Sequence, residues 1–484
     1  MRQTSTDSGP AVSGSGSQVP LAVDLDGTLL RGDSLWEAVA ILLRTRPWLL
    51  LLFPFWLLRG KAAFKAKLAG EVSLDPSLLV WNEELVTFLR GQHAAGRPLF
   101  LVTGANQRWA EQIGAHFGFF QQAAGSNDAN NTGSRKRERC AALSGEGGFD
   151  YLGDSMADLP VMRAARRALI AGANSRLHRR VQAAGIPIAG VFPSPSGWGA
   201  VWRTLRVHQW PKNLLLFVPA FVGMRWVNGT VMLAASWAMA SFCLAASACY
   251  LINDLADLPS DRRHPAKRLR PFASGEMPLA FGFLATPLLV AGALVIAWQL
   301  PAPFAWLVVV YLGGALAYSF RLKRLLMADV MVLAGLYTVR ILAGGAATGI
   351  VVSPWLLLFS VCVFSSLAFL KRFIEFQDSG TESASRAYET DDAPLLAAMG
   401  IGSAMISILV LALYINSDSV RILYHEPHFL WPACPLLMYY LNRLWLLARR
   451  RELTYDPVWF VIRDKAAYVV LALVALSMQL ARAV

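Results

Sequence analysis

Between residues 20 and 190 the apolar runs are short. LAVDLDG, PLFLVTG, FDYLGD and ALIAG each end in small or acidic residues, with longer helical stretches between them. That rhythm predicts an α/β domain of Rossmann-like type, with a parallel sheet whose strand C-termini carry the chemistry. The stretch WEAVAILLRTRPWLLLLFPFWLLRGKAAFKAKLA (36–69) is apolar in pieces, broken by Arg44, Arg46 and Pro47. It reads as a helical cap that also touches a bilayer surface, rather than as a span. VFPSPSGWG (191–199) is a Pro/Gly/Ser linker, and WRTLRVHQWPKN (202–213) has the Trp and cations of a headgroup layer. Beyond it the apolar runs reach spanning length. Nine spans are predicted, near 213–224, 231–252, 279–299, 303–319, 327–348, 353–370, 394–415, 427–447 and 465–481. The expected division is a disordered tail at 1–19, an α/β domain at 20–190, a linker at 191–203 and an all-α membrane bundle at 204–484. The tail has no apolar core and so is not a signal peptide.

Composition agrees with a multi-pass membrane protein: of 484 residues, 55% are hydrophobic and 16% charged. The net charge of +13 comes without a basic helix or stacking platform, so nucleic acid is excluded as the expected partner. The cations cluster instead between apolar runs. The loops at 253–278, 320–326, 371–393 and 448–465 hold sixteen Lys and Arg, whereas the opposite side holds Arg225, Arg421 and Arg482. By the positive-inside rule the rich loops and the α/β domain are cytoplasmic, in an inner membrane. Membrane lipids and phosphorylated substrates are the expected partners. The five cysteines show no metal-site spacing, so neither a zinc site nor a disulfide framework is expected.

LINDLADLPSDRRHPAKRLRP (251–271) puts acids at the end of an apolar run. Asn253, Asp257 and Asp261 are spaced by four, and Asp254 precedes Asp257 by three, so a helix end would show all four on one face. Carboxylates there oppose the helix dipole and repel one another. A Mg²⁺ ion bridging to a substrate diphosphate removes both penalties, and Lys267, Arg268 and Arg270 follow to hold phosphate oxygens. The alternative is a solvated turn with cytoplasmic cations. Arg340 falls inside a span, where a charge is costly; it meets either a substrate anion or a structural partner such as Glu375. Lys371 and Arg372 end another span, with Arg386 and Tyr388 beyond. Phosphate clamping and positive-inside topology both account for Lys371 and Arg372.

NDLADLPSDRRHPAKRLRP resembles the first aspartate motif of the UbiA superfamily of intramembrane prenyltransferases. The resemblance covers roughly 200–484 and also rests on LRVHQWPKNLLLFVPAF, YSFRLKRLLMADV, VRILAGG, FLKRFIEF and DPVWFVIRDK. Within the superfamily it is nearest the polyprenyl-phosphate phosphoribosyltransferases. The resemblance implies a metal–diphosphate motif at Asn253, Asp254, Asp257 and Asp261. It also implies a pair at the first span's entrance, Lys212 and Asn213, and a second polar cluster of Tyr318, Lys323 and Asp329. Many aromatic-prenylating relatives carry a second DxxxD there, whereas this chain has Asp329 alone. DLDGTLL (24–30) resembles motif one of haloacid-dehalogenase-type phosphatases. That likeness implies Asp24 as nucleophile and Asp26 as acid and base. It also implies Thr103 and Lys136 on phosphate, with Asp24, Asp26, Asp154 and Asp158 around Mg²⁺.

The expected function is transfer of 5-phosphoribosyl from phosphoribosyl diphosphate to polyprenyl phosphate, with the fused domain removing the product's 5-phosphate. The pathway would be synthesis of a lipid arabinofuranosyl donor. The alternatives are prenylation of an aromatic or haem-like acceptor and, from another class, a transporter or scaffold.

Overall fold

The computed structural model describes residues 19–127, 131–172, 175–193, 198–379, 388–389, 392–421, 423–453 and 456–483. Arg386, and the tail up to residue 18, lie outside them. The chain divides into two compact units. One comprises the residues up to Thr204 together with Asp254–Gly282; the other comprises Leu205–Asn253 and Phe283–Val484.

The first unit is built on six parallel strands: β1 (Leu21–Val23), β2 (Leu99–Asn106), β3 (Gln122–Ser126), β4 (Asp150–Gly153), β5 (Ala168–Ala171) and β6 (Ile188–Phe192). Their order is β3-β2-β1-β4-β5-β6. Period-2 alternation gives the sheet two apolar faces. Leu21, Val23, Leu99, Leu101, Leu152 and Leu169 enter one core; Ala22, Phe100, Val102, Tyr151, Ala168 and Ile170 enter the other. β6 and the helix Trp198–Thr204 occupy much of the stretch read as linker. The order in which strands are added reverses between β1 and β4, the place where a sheet of this order opens a crevice at its carboxyl ends.

The cap stretch forms helices Ser34–Thr45, Phe53–Leu58 and Lys61–Glu71, with a 3-10 turn at Pro47–Leu52. Asp33 caps the first of these by accepting from Leu35 N–H at 2.8 Å. Segment 254–282 adds the short helix Leu258–Arg263, a 3-10 turn at Lys267–Leu269 and the start of helix Leu279–Trp298.

In the second unit, seven helices among the described residues are long and apolar enough to cross a membrane, not the nine expected. They are Gly229–Ala256, Leu279–Trp298, Ala302–Phe320, Ala328–Thr348, Pro354–Gln377, Ala393–Ile415 and Lys465–Arg482. The other two expected spans fall short for a local reason. Pro211 and Pro219 divide the first into a 3-10 stretch, Val207–Phe217, and a helix Val218–Val222. Pro427 and Pro432 shorten the eighth to helix Ala433–Arg449. Small residues let the backbones pack closely: Ala238, Ala245, Ala293, Ala297, Ala343 and Ala347 share one core with Phe242 and Phe304.

Candidate active sites

The carboxyl ends of β1, β2 and β4 surround a cavity of about 440 Å³ lined by Asp24, Asp26, Lys136, Asp154 and Asp158 among others. Chain geometry brings them there. Asp24 follows β1 directly and its backbone N–H still bonds to Leu152 C=O at 2.9 Å. Gly27 then turns the chain at φ +74, and a Cβ there would sit 2.2 Å from Asp154 Oδ2. Only glycine lets the β1 turn and the β4 end approach this closely. Asp158 is fixed by a capping box with Ser155.

Lys136 lies between Asp24 Oδ1 at 2.8 Å and Asp158 Oδ1 at 2.9 Å. Asp158 also accepts from Tyr151 Oη at 2.7 Å and Ser155 Oγ at 2.9 Å. One ammonium is therefore shared by two carboxylates, with Asp154 close to both, and the shifts follow. Burial, with Asp158 nearby, pushes the Asp24 carboxyl up to about 6 despite Lys136. Burial and the charges of Asp24 and Asp158 push Asp154 up to about 7. Burial and then Asp33 push Asp26 up to about 8. Asp158 alone is held below the carboxylate range: burial opposes this, but Lys136 and its other donors outweigh it. The two carboxylates flanking Lys136 raise that amine above its usual value against the opposing effect of burial.

Oxygens of Asp24, Asp154 and Asp158 come within 4.8 Å of one another, a hard-donor set that fits Mg²⁺. Asp26 stands apart from that trio, accepting from Ser34 N–H at 2.7 Å. Thr103 is buried with its hydroxyl accepting from Ala105 N–H at 3.0 Å; Gly104, next to it, lines the cavity.

The aspartate motif is less regular than its spacing suggests. Helix Gly229–Ala256 ends before Asp257, which stands at the N-cap of Leu258–Arg263, so the acids do not continue along one helix. Asp254 and Asp261 nevertheless meet, on Arg270 Nη1 at 3.3 and 2.6 Å. Burial leaves the Asp261 carboxyl above its usual value even so. Lys267 and Arg268 are exposed. In the second unit, Asn253 Oδ1 lies 3.4 Å from Lys323 Nζ.

The remaining polar residues of the second unit form two further groups. Asp329 is fully buried; its Oδ2 accepts from Arg372 Nε at 2.5 Å and its Oδ1 from Tyr388 Oη at 2.7 Å. Arg372 also donates to Glu375 and Tyr318, each at 2.6 Å. Glu375 is thus the partner of Arg372. Arg340 donates to Asn213 Oδ1 at 2.9 Å, Tyr311 Oη at 3.0 Å and the Leu336 carbonyl at 2.6 Å. Its guanidinium lies 4.8 and 5.3 Å from the ring centres of Tyr311 and Tyr337. Lys212 and Lys371 converge on Asp456, the first in a short ion pair and the second at 3.8 Å. The sequence pattern alone assigns Asp456 no role. Its signal was the Asp-Pro helix start in DPVWFVIRDK, where its carboxylate also caps Val458 N–H at 3.0 Å.

Residues 214–469 match the UbiA prenyltransferase family and residues 21–163 the haloacid dehalogenase-like hydrolases. The uncharacterized protein y4nM of Sinorhizobium fredii is 38% identical over 465 residues, 95% of this chain and 90% of that protein. Decaprenyl-phosphate phosphoribosyltransferase of Mycolicibacterium smegmatis is 39% identical over 181 residues, 36% of this chain and 56% of that enzyme. A UbiA homolog from Archaeoglobus fulgidus, solved with DMAPP and Mg²⁺, aligns with TM-score 0.46 and 16% identity over 58% of this chain and 99% of that one. The chain is a multi-pass membrane protein that belongs to the UbiA prenyltransferase family and carries a haloacid dehalogenase-like domain ahead of its membrane helices.

Proposed function

We propose that this chain transfers 5-phosphoribosyl from phosphoribosyl diphosphate to polyprenyl phosphate, and that its N-terminal domain removes the 5-phosphate from the product. The product of both steps is a lipid-linked ribose on the way to an arabinofuranosyl donor. The observation that carries the choice of donor is Asp329. A prenyl diphosphate gripped by two aspartate motifs needs free oxygens at the second one. Both oxygens of Asp329 are engaged, by Arg372 and Tyr388, which supports a single metal–diphosphate motif at Asp254, Asp257 and Asp261. Likeness to the decaprenyl-phosphate phosphoribosyltransferases supports the same donor and acceptor.

A phosphate oxygen of the lipid attacks the anomeric carbon and diphosphate leaves from the opposite face, inverting that centre. The attacking group is already anionic, so no strong base is needed. Mg²⁺ held by Asp254 and Asp261 would neutralise the leaving diphosphate. Arg270, now shared between those carboxylates, is the cation placed to turn toward phosphate oxygens. In the hydrolase domain, the contacts to the Asp24 carboxylate among the described residues fall on Oδ1, from Lys136 and from Leu25 N–H at 2.8 Å. Oδ2 is left to attack phosphorus. Asp26, protonated at neutral pH by its raised pKa, gives its proton to the departing alcohol and then takes one from the water that cleaves the aspartyl-phosphate. Mg²⁺ at Asp24 and Asp154 would offset the phosphate charge.

Membranes holding the protein are incubated with labelled phosphoribosyl diphosphate and polyprenyl phosphate. Label should enter the organic phase; label confined to water refutes the transfer. Mass spectrometry of the lipids should show the 5-phosphorylated product accumulating in Asp24→Asn but not in wild type.

A further inference from the structure

One part of the Asp24 cavity wall comes from far along the chain. Pro278, Leu279 and Ala280 line it together with Trp36, Arg31 and Lys65. The segment that delivers them is built into the first unit. Arg262 forks onto Glu37 at 2.7 and 2.9 Å and donates to the Leu78 carbonyl at 2.8 Å. This pair is buried, with 9% and 4% of the two side chains exposed. Gly275 turns at φ +73 against the cavity residue Arg31; a Cβ would come 3.0 Å from Arg31 Cβ and 3.2 Å from Val80 Cγ1. Phe272, Ala273, Met277 and Leu279 are buried.

Leu279 has a second identity: it is the first residue of helix Leu279–Trp298, which is apolar enough to cross a membrane. The cavity wall is thus continuous in sequence with a helix long and apolar enough to cross a bilayer. The cap supplies an independent observation. Trp48, Leu51, Phe55 and Leu58 are 61%, 77%, 65% and 84% exposed, amid Arg44, Arg46, Arg59 and Lys61. An apolar face edged by cations suits the surface of an anionic bilayer.

We propose that this cavity hydrolyses phosphomonoesters carried on membrane lipids in preference to free sugar phosphates, with Pro278, Leu279 and Ala280 as the wall that selects them. The inference rests on the phosphatase reading above and names its substrate class. The lipid tail stays in the bilayer while the phosphate reaches Asp24, and confinement to one layer raises its effective concentration at the cleft.

The test uses the full chain in vesicles of phosphatidylcholine and phosphatidylglycerol, without phosphoribosyl diphosphate. Phosphate release is measured from dioleoyl phosphatidic acid, from synthetic polyprenyl-phosphoribose 5-phosphate and from ribose 5-phosphate. At least one lipid should be cleaved with kcat/KM about 100-fold above ribose 5-phosphate. Cleavage of phosphatidic acid alone keeps the inference and removes the paired-reaction reading. Ribose 5-phosphate cleaved as well as the lipids, release from none of the three, or release undiminished in Asp24→Asn overturns it. Leu279→Gln should lower the lipid-to-sugar ratio of kcat/KM about tenfold. Ala280→Gln, at a half-buried position, tests the same wall should the first variant fail to fold. An unchanged ratio in the folded variants overturns the wall's role.

Discussion

Two groups of buried charge in this protein are built on opposite principles. Around Asp24, two of three clustered carboxylates share one ammonium, three nearby acids have raised pKa values, and the group faces a cavity. Around Asp329, every charged side chain has a counter-charge or phenol in contact: Arg372 joins Asp329, Glu375 and Tyr318, and Tyr388 closes the other side. Burial and charge are common to both. An excess of carboxylate beside a cavity suits a bound cation; the group around Asp329 is satisfied by its own members.

The comparison is sharpest where the nucleophile is removed. Asp24→Asn should abolish phosphate release altogether, with incorporation of label into lipid retained; loss of both activities would mean the two sites are not separable. Next, Asp254→Ala should reduce that incorporation at least about 100-fold, on the scale of losing a main electrostatic contact to the departing group, and leave phosphate release from added polyprenyl-phosphoribose 5-phosphate intact. For the balanced group the readout is stability. Asp329→Asn leaves Arg372 without its buried carboxylate and should cost about 3–5 kcal/mol, seen as a lower thermal midpoint in detergent. Asp154→Asn should do the reverse, raising stability by about 1 kcal/mol as carboxylate repulsion is relieved, while phosphate release falls. A destabilised Asp154→Asn would contradict the imbalance.

A last effect, read against pH, concerns Asp456. Burial alone would raise this carboxyl, but Lys371 and Lys212 hold it down to about 2 from 3.8. A depressed folded pKa gives stability that is complete above the unfolded value and lost as pH falls through the folded one. The stability gap between wild type and Asp456→Asn should therefore be full at neutral pH and narrow as pH drops from about 4 toward about 2, in thermal melts across that range.

Much of this was legible beforehand because strand ends carry short, local signatures. DLDG, PLFLVTG and GDSMADLP each name a strand and the residues just past it, and the sheet places Asp24, Gly104, Asp154 and Asp158 around one cavity. β3 and β6 carry no strand signature in the sequence. QAAGS has too many small residues, and IAGVF sits against the Pro/Ser run taken for a linker. The spacing of Asn253, Asp257 and Asp261 implied one helical face, but the helix breaks at Asp257, ahead of Pro259. Asp456 stayed unassigned because its meaning lies in Lys212, 244 positions earlier, and no local pattern reports such a pairing.

That distant pairing also sets an order of assembly. Lys212 lies near the start of the membrane unit, and the carboxylate it needs is made almost last. Until translation passes Asp456, Lys212 lacks the carboxylate it pairs with in the folded chain. The C-terminal stretch thus supplies the last polar contact of that group.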